Sequence, residues 1–266
     1  MQTIRDYIAG GWRYRYLLQN LIMRDFKLKY RRSILGVAWS VLNPLLTCLV
    51  MYVVFDSIMR GLRGDGIPNF AAFLLIGQLL FNFFRESTTM AMESVLKNAP
   101  LLRKVYIPKY VFPLEKACFG FVNCLFSFVA LVLVLLFTWT PVSWVTLLLA
   151  IYPLATLFLF NLGVGLLLSA LYVFVRDIMH IWEVFCTLLV YGSAIFYDPN
   201  MMAGWVQWVI KFNPLYHYIT AFRECVMWGV GLEPVRALIC LACAAVSMGL
   251  GLFVFKKTQD SFVLYM

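Results

Sequence analysis

The sequence is short of the groups that carry chemistry. Among its 266 residues are only two histidines, His180 and His217, and 13 acids against 22 Lys and Arg. No G-x-x-x-x-G-K-S/T phosphate loop occurs, which excludes nucleotide hydrolysis by that machinery. No H-E-x-x-H occurs, and the two histidines fall on opposite sides of the predicted membrane. The seven cysteines offer one close pair, Cys240-x-x-Cys243, inside an apolar run without a histidine neighbour. That pair is read as helix packing, and no metal ligand set is predicted. No Asp-x-Asp pair is available to hold a metal-bound sugar nucleotide, which weakens a glycosyltransferase reading. No cleavable signal peptide is expected, because the first apolar run starts late, behind a basic arm, with no small-residue cleavage site after it.

Charge is the other scarcity. The chain is 63% hydrophobic and 13% charged, with mean hydropathy +0.84, far more apolar than a soluble domain of this length. The pI of about 9.3 need not mean nucleic acid, because nearly all the excess cations flank apolar runs. The sharpest such boundary is Arg24 to Arg32, five cations and one acid, followed by Ser33–Phe55 with no charge at all. A solvent change this abrupt marks a membrane face.

Uncharged runs predict an all-α membrane protein of six spans. The first is Ser33–Phe55. The second has its core at Gly66–Phe84 and continues past Arg85 toward Met92. The 59 uncharged residues between Lys116 and Arg176 are too long for one helix and break at Thr138-Trp139-Thr140-Pro141 into spans three and four. A fifth runs from near Ile178 to Tyr197, and the sixth is Ala237–Phe255. This topology puts sixteen of the 22 Lys and Arg on one side and five on the other, with Arg85 inside span two. The imbalance predicts cytoplasmic amino and carboxyl termini in a cytoplasmic membrane. The whole is read as one domain, 1–266, with an interface region at 1–34 and a membrane region at 35–257.

Three segments do not span. On a helical wheel of residues 12–32, Arg24, Lys27 and Arg31 share one arc, opposite Leu18, Leu21, Ile22, Phe26 and Tyr30. Asp25 and Lys29 interrupt the apolar side as an i,i+4 pair. This describes either a helix in the membrane plane or a simple juxtamembrane anchor. Residues 94–113 mix Leu101, Leu102, Val105 and Ile107 with Arg103 and Lys104 between prolines. Apolar groups beside cations suit a partner-docking surface, or a loop folded back on the interface. Residues 198–234 carry Trp205, Trp208, Tyr216, Phe222 and Trp228 around Asn213-Pro214, too apolar for a free loop and too interrupted for a span. Short helices dipping into the outer leaflet fit that pattern. Arg85 and Glu86 are the exceptional intramembrane charges. A coupled-ion role and snorkelling to the face are both open.

Several separated motifs resemble the ABC-2 type permeases, in particular the branch exporting lipid-linked polysaccharides such as O-antigen, capsule and teichoic acid. They are Arg24-Asp25-Phe26-Lys27 through Gly36, Trp39 and Pro44; Leu102-Arg103-Lys104-Val105-Tyr106-Ile107-Pro108-Lys109; Val175-Arg176-Asp177-Ile178; and Asn213-Pro214-Leu215 with Phe222-Arg223. The resemblance implies a bacterial inner-membrane homodimer working with two separate ATPase subunits, which bind the ATP and Mg. It also implies an interface helix bearing Arg24, Asp25, Lys27 and Arg31. The coupling segment would use Leu101, Leu102, Arg103, Lys104, Val105 and Ile107. An outer gate would include Trp205, Trp208, Asn213, Pro214 and Arg223. Arg85-Glu86 departs from the family pattern, where a more apolar helix is expected.

Sugars present C–H faces that stack on rings, so a polysaccharide channel calls for aromatic walls. Tyr52, Phe55, Phe81, Phe84, Phe196 and Tyr197 are the candidates, each of which could instead face lipid or pack between helices. The expected cargo is a polyprenyl-linked glycan, with membrane lipids as the other contacts. The competing readings are an ABC-2 exporter of another lipid or a drug, a secondary carrier, and a membrane-embedded glycolipid enzyme.

Overall fold

The computed structural model describes residues 14–58, 67–104, 107–140 and 143–265, and all regular structure among the described residues is helical. Helix α1 (Arg15–Tyr30) precedes the first apolar run. A left-handed Gly36 (φ +50°) turns the chain into α2 (Trp39–Ile58). Then follow α3 (Phe70–Lys97), α4 (Ala99–Leu102), α5 (Val111–Phe137), α6 (Trp144–Leu149) and α7 (Ile151–Phe174). The chain ends with α8 (Ile178–Gly192), α9 (Gly204–Phe212), α10 (Pro214–Arg223), α11 (Pro234–Thr258) and α12 (Phe262–Tyr265).

Four segments are long and apolar enough to cross a bilayer: Gly36–Phe55, Val111–Phe137, Trp144–Phe174 and Pro234–Ser261. Of the remaining helices, α8 is apolar but has only 15 residues. α3 has 28, with Arg85, Glu86, Glu93 and Lys97 diluting its apolar character. The expected break after Thr138 is present, since α5 stops at Phe137 and α6 opens at Trp144.

α3 is the axis of the bundle. Phe70 to Val95 is buried along most of its length, against α2, α5, α7, α8 and α10. Asn69 starts it by accepting from Ala72 N (3.1 Å) and donating to Thr138 and Thr140 (2.7 and 2.8 Å), which ties its end to the α5 terminus. α7 and α11 cross at glycines: a Cβ on Gly163 would stand 2.4 Å from Met248 N, and one on Gly251 would stand 2.2 Å from Gly163 O. Backbones this close give the dense van der Waals contact that replaces the hydrophobic drive within lipid. Outward, Leu46, Leu49 and Val50 of α2, Val132 and Leu136 of α5, Val184 and Leu188 of α8, and Leu241 and Leu250 of α11 are all exposed. Such bare aliphatic surface suits hydrocarbon rather than water.

Candidate functional site

The charged residues near α1 settle into two bridges. Asp25 accepts from Lys116 Nζ of α5 and from Arg24 Nε (3.0 Å), and Lys116 also lies 3.1 Å from the fully buried Glu115. Burial alone would raise the Asp25 pKa, but the hydrogen bonds and charge of Lys116 and Arg24 outweigh it and hold the carboxyl below its ordinary 3.8. Lys29 Nζ donates to Glu86 Oε1 (2.6 Å), and Asn123 Nδ2 donates to Glu86 Oε2 (2.7 Å). Asp25 and Lys29 therefore do not pair with each other, as the wheel suggested. Each finds a partner on a packed neighbouring helix, and the nearly buried Asp25–Lys116 contact is the one that water screens less. Leu21 is buried and anchors α1 on α5, whereas Lys27 and Arg31 are exposed.

These contacts place Glu86 beside the basic helix. Glu86 stands level with Lys29 of the basic helix and with the first turn of α2, where Ser40 pairs with Tyr30. Arg85 and Glu86 therefore sit beside the basic helix α1. Beside them lies a cavity of about 880 Å³ between α1, α2, α3 and α5. Carboxamides of Asn43, Gln78, Asn82 and Asn123 line it, together with Lys29, Arg85 and the Trp39 ring. None of the amides, nor Arg85 as a cavity group, stood out in the sequence as part of one site. Their positions span 81 residues and share no spacing.

The connection between α3 and α5 is partly folded inward. Leu101, Leu102 and Ile107 are half-buried and pack against Leu21, Val111 and Phe112. They were expected to be exposed, but α1 covers them, because apolar side chains beside an amphipathic helix bury against it. Arg103 and Lys104 remain exposed, and Val105 lies outside the described residues. Lys109 donates to Gln259 O and sits 5.5 Å from the centre of the Phe262 ring, joining this turn to the chain after α11.

On the opposite end, α9 and α10 are the short helices expected there. Asn213 accepts from Leu215 N (3.0 Å), Pro214 occupies the first turn, and Asn213 Nδ2 donates to Gly192 O and Ser193 Oγ (3.0 and 2.9 Å). Trp205 and Trp208 are 75% and 71% exposed on α9. Arg223 is buried. Its guanidinium donates to Phe73 O (2.9 Å), Ala194 O (3.0 Å) and Ile195 O (3.2 Å) and lies 3.4 Å from the Phe73 ring centroid. It thus clamps the end of α10 and the turn after α8 to α3.

The six candidate rings divide. Phe81 and Phe84 are 3% and 2% exposed; Phe84 packs on Phe160 and Trp182 inside the bundle. Tyr52 is exposed, and Phe55 stacks on Phe196 with centroids 5.2 Å apart and planes 6° off parallel. Tyr197 donates to Tyr191 O (2.5 Å). So α2 meets the turn after α8 at the Phe55–Phe196 stack, Tyr52 lies 6.3 Å from the Phe70 ring of α3, and Phe81 and Phe84 stay inside the bundle.

A family model described as "ABC-2 type transporter" matches residues 16–227. Among similar proteins is the O-antigen export system permease protein RfbA of Klebsiella pneumoniae, 31% identical over 247 residues covering 90% of this chain and 92% of that protein. A Myxococcus xanthus protein of the same description is 28% identical, covering 88% of this chain and 89% of its own. The polysialic acid transport protein KpsM of Escherichia coli is 21% identical, with 92% and 94% covered.

Proposed function

The chain belongs to the ABC-2 type transporter family, and from that premise we propose that it forms the membrane path of an exporter moving a polyprenyl-linked polysaccharide, with ATP and Mg bound by separate ATPase subunits. The observation that carries the cargo class is the similarity, along 90% of the chain, to an O-antigen export permease.

The proposed assembly is a homodimer of single-domain permeases, residues 1–266, with two ATPase subunits in the cytoplasmic membrane. Its six crossings are α2, α3, α5, the α6–α7 pair, α8 and α11. α3 can cross despite its charges because other helices sheathe it and Lys29 meets Glu86 at the face. α8 gains length from the turn that leads on to Tyr197. An even number of crossings leaves the basic amino-terminal region and Lys256–Lys257 on the cytoplasmic side. Arg24, Asp25, Lys27 and Arg31 belong to the interface helix. Arg103 and Lys104 are the exposed coupling groups, backed by Leu101, Leu102 and Ile107. Asn213, Pro214 and Arg223 hold the outer gate that displays Trp205 and Trp208. Tyr52, Phe55, Phe196 and Tyr197 line the glycan path, and Phe81 and Phe84 support its wall from behind.

Deleting the chain should strip the cell surface of one polysaccharide while its lipid-linked form accumulates inside. A surface glycan that persists at normal levels refutes the cargo assignment. Charge reversal at both Arg103→Glu and Lys104→Glu should abolish co-purification of the ATPase subunit. Retention of that subunit refutes the coupling assignment.

A further inference from the structure

The cavity between α1, α2, α3 and α5 is built for a ligand that the bundle itself does not supply. Glu86 is neutralised by Lys29 and capped by Asn123 (2.6 and 2.7 Å), so that acid is fully engaged. Arg85, its neighbour on α3, is exposed and lines the cavity, and its guanidinium makes no hydrogen bond or ion pair among the described residues. The cavity therefore holds one uncompensated guanidinium. Around it stand the amides of Asn43, Gln78 and Asn82. A wall facing only hydrocarbon would not keep these three amides and a free cation, because each unmatched polar group there costs several kcal/mol (roughly 2–7).

The chemistry of the lining names its occupant. A guanidinium matches phosphate oxygens bidentately, amides exchange hydrogen bonds with hydroxyls, and the Trp39 ring offers a face to sugar C–H groups. Beyond the cavity, Asn43 and Thr47 continue along α2 into exposed Leu46, Val50 and Val54, a helical stripe suited to an acyl or prenyl chain. The cavity also sits at the level of the basic helix, where headgroups lie.

We propose that this cavity seats the sugar-phosphate headgroup of a lipid, with Arg85 as the phosphate ligand and the α2 stripe receiving its chain. Two sources share that chemistry: a polyprenyl diphosphate carrying a sugar, which rests on the export reading above, and an anionic phospholipid such as phosphatidylglycerol. A free nucleotide sugar lacks the chain that the stripe would hold.

The test uses the full chain co-purified with its ATPase subunit in phosphatidylcholine nanodiscs. The probes are undecaprenyl diphosphate bearing one N-acetylhexosamine, phosphatidylglycerol, and uncharged polyprenol as control. Arg85→Gln should weaken binding of the phosphate probes about tenfold or more, the loss expected for a hydrogen-bonded charge, and leave polyprenol unchanged. Arg85→Lys should recover part of that loss, and Lys257→Gln, at the far end of α11, should lose nothing. A loss confined to the diphosphate probe assigns the seat to the glycan lipid. An equal loss for phosphatidylglycerol assigns it to bulk headgroups. Unchanged affinity for both phosphate probes overturns the proposal. So does dissociation of the Arg85→Gln complex on light scattering, since the cation would then serve a protein interface. None of these outcomes depends on whether deletion strips surface polysaccharide, so the export reading and the seat fail separately.

Discussion

Replacing Arg223 with methionine keeps most of the side-chain volume and removes every donor. The three carbonyls it serves, Phe73 O, Ala194 O and Ile195 O, then lose a partner at 2.9 to 3.2 Å, and Phe73 loses the cation over its ring. Hydrogen bonds to a charged group contribute about 1.5–3 kcal/mol each. Taking the charge out of a buried site relieves its desolvation, and Phe73 O keeps its helical bond, so much of that sum is offset. A net loss of about 3 kcal/mol remains, roughly 6–12 °C in apparent melting temperature for a chain of this size.

The assay is thermal denaturation of the detergent-solubilised complex, run as a double-mutant cycle with Gly77→Ala. A Cβ at Gly77 would meet the Arg223 Nη2 at 2.7 Å and Ile195 Cγ2 at 3.0 Å, so in the wild type it displaces the clamp. With methionine at 223 the first clash becomes soft, and the two losses should fall short of additive by about 1 kcal/mol or more. A Met variant as stable as the wild type, or strictly additive losses, refutes the clamp.

Other perturbations follow from the same contacts. Gly163→Ala pushes a methyl into the α11 backbone at 2.4 Å, and should cost roughly 1–3 kcal/mol or prevent accumulation in the membrane, read by melting and yield. Because the Asp25 pKa is lowered on folding, its stabilisation is complete above the unfolded value near 3.8 and fades as pH falls through the lower folded one. Protease protection of α1 should therefore hold from pH 7 down to about 5, and Asp25→Asn should expose α1 at pH 7. Alanine at both Phe55 and Phe196 should slow glycan export while the ATPase subunit still co-purifies; export at the wild-type rate removes those rings from the path.

What the sequence disclosed was whatever depends on local order. The apolar helix after the Arg24–Arg32 cations, the break at Thr138 and the short helices between 198 and 234 all appear, because each is encoded within a few residues. Long-range partners were hidden. Arg223 meets Phe73 across 150 positions and Lys29 meets Glu86 across 57, so nothing in the spacing reveals either contact. For the same reason the Arg85-Glu86 doublet did not disclose that Glu86 meets Lys29 and Asn123. The inward turn of Leu101, Leu102 and Ile107 was equally hidden, since apolar character marks burial without saying on which neighbour.

The packing of Leu101, Leu102 and Ile107 onto Leu21 has a mechanical consequence. α1 is tied to α5 through Asp25 and Lys116 and to α3 through Lys29 and Glu86, and it covers Leu101, Leu102 and Ile107 as well. If Arg103 and Lys104 dock the ATPase subunit as proposed, a push there bears on α1, and α1 passes it to two long helices at once.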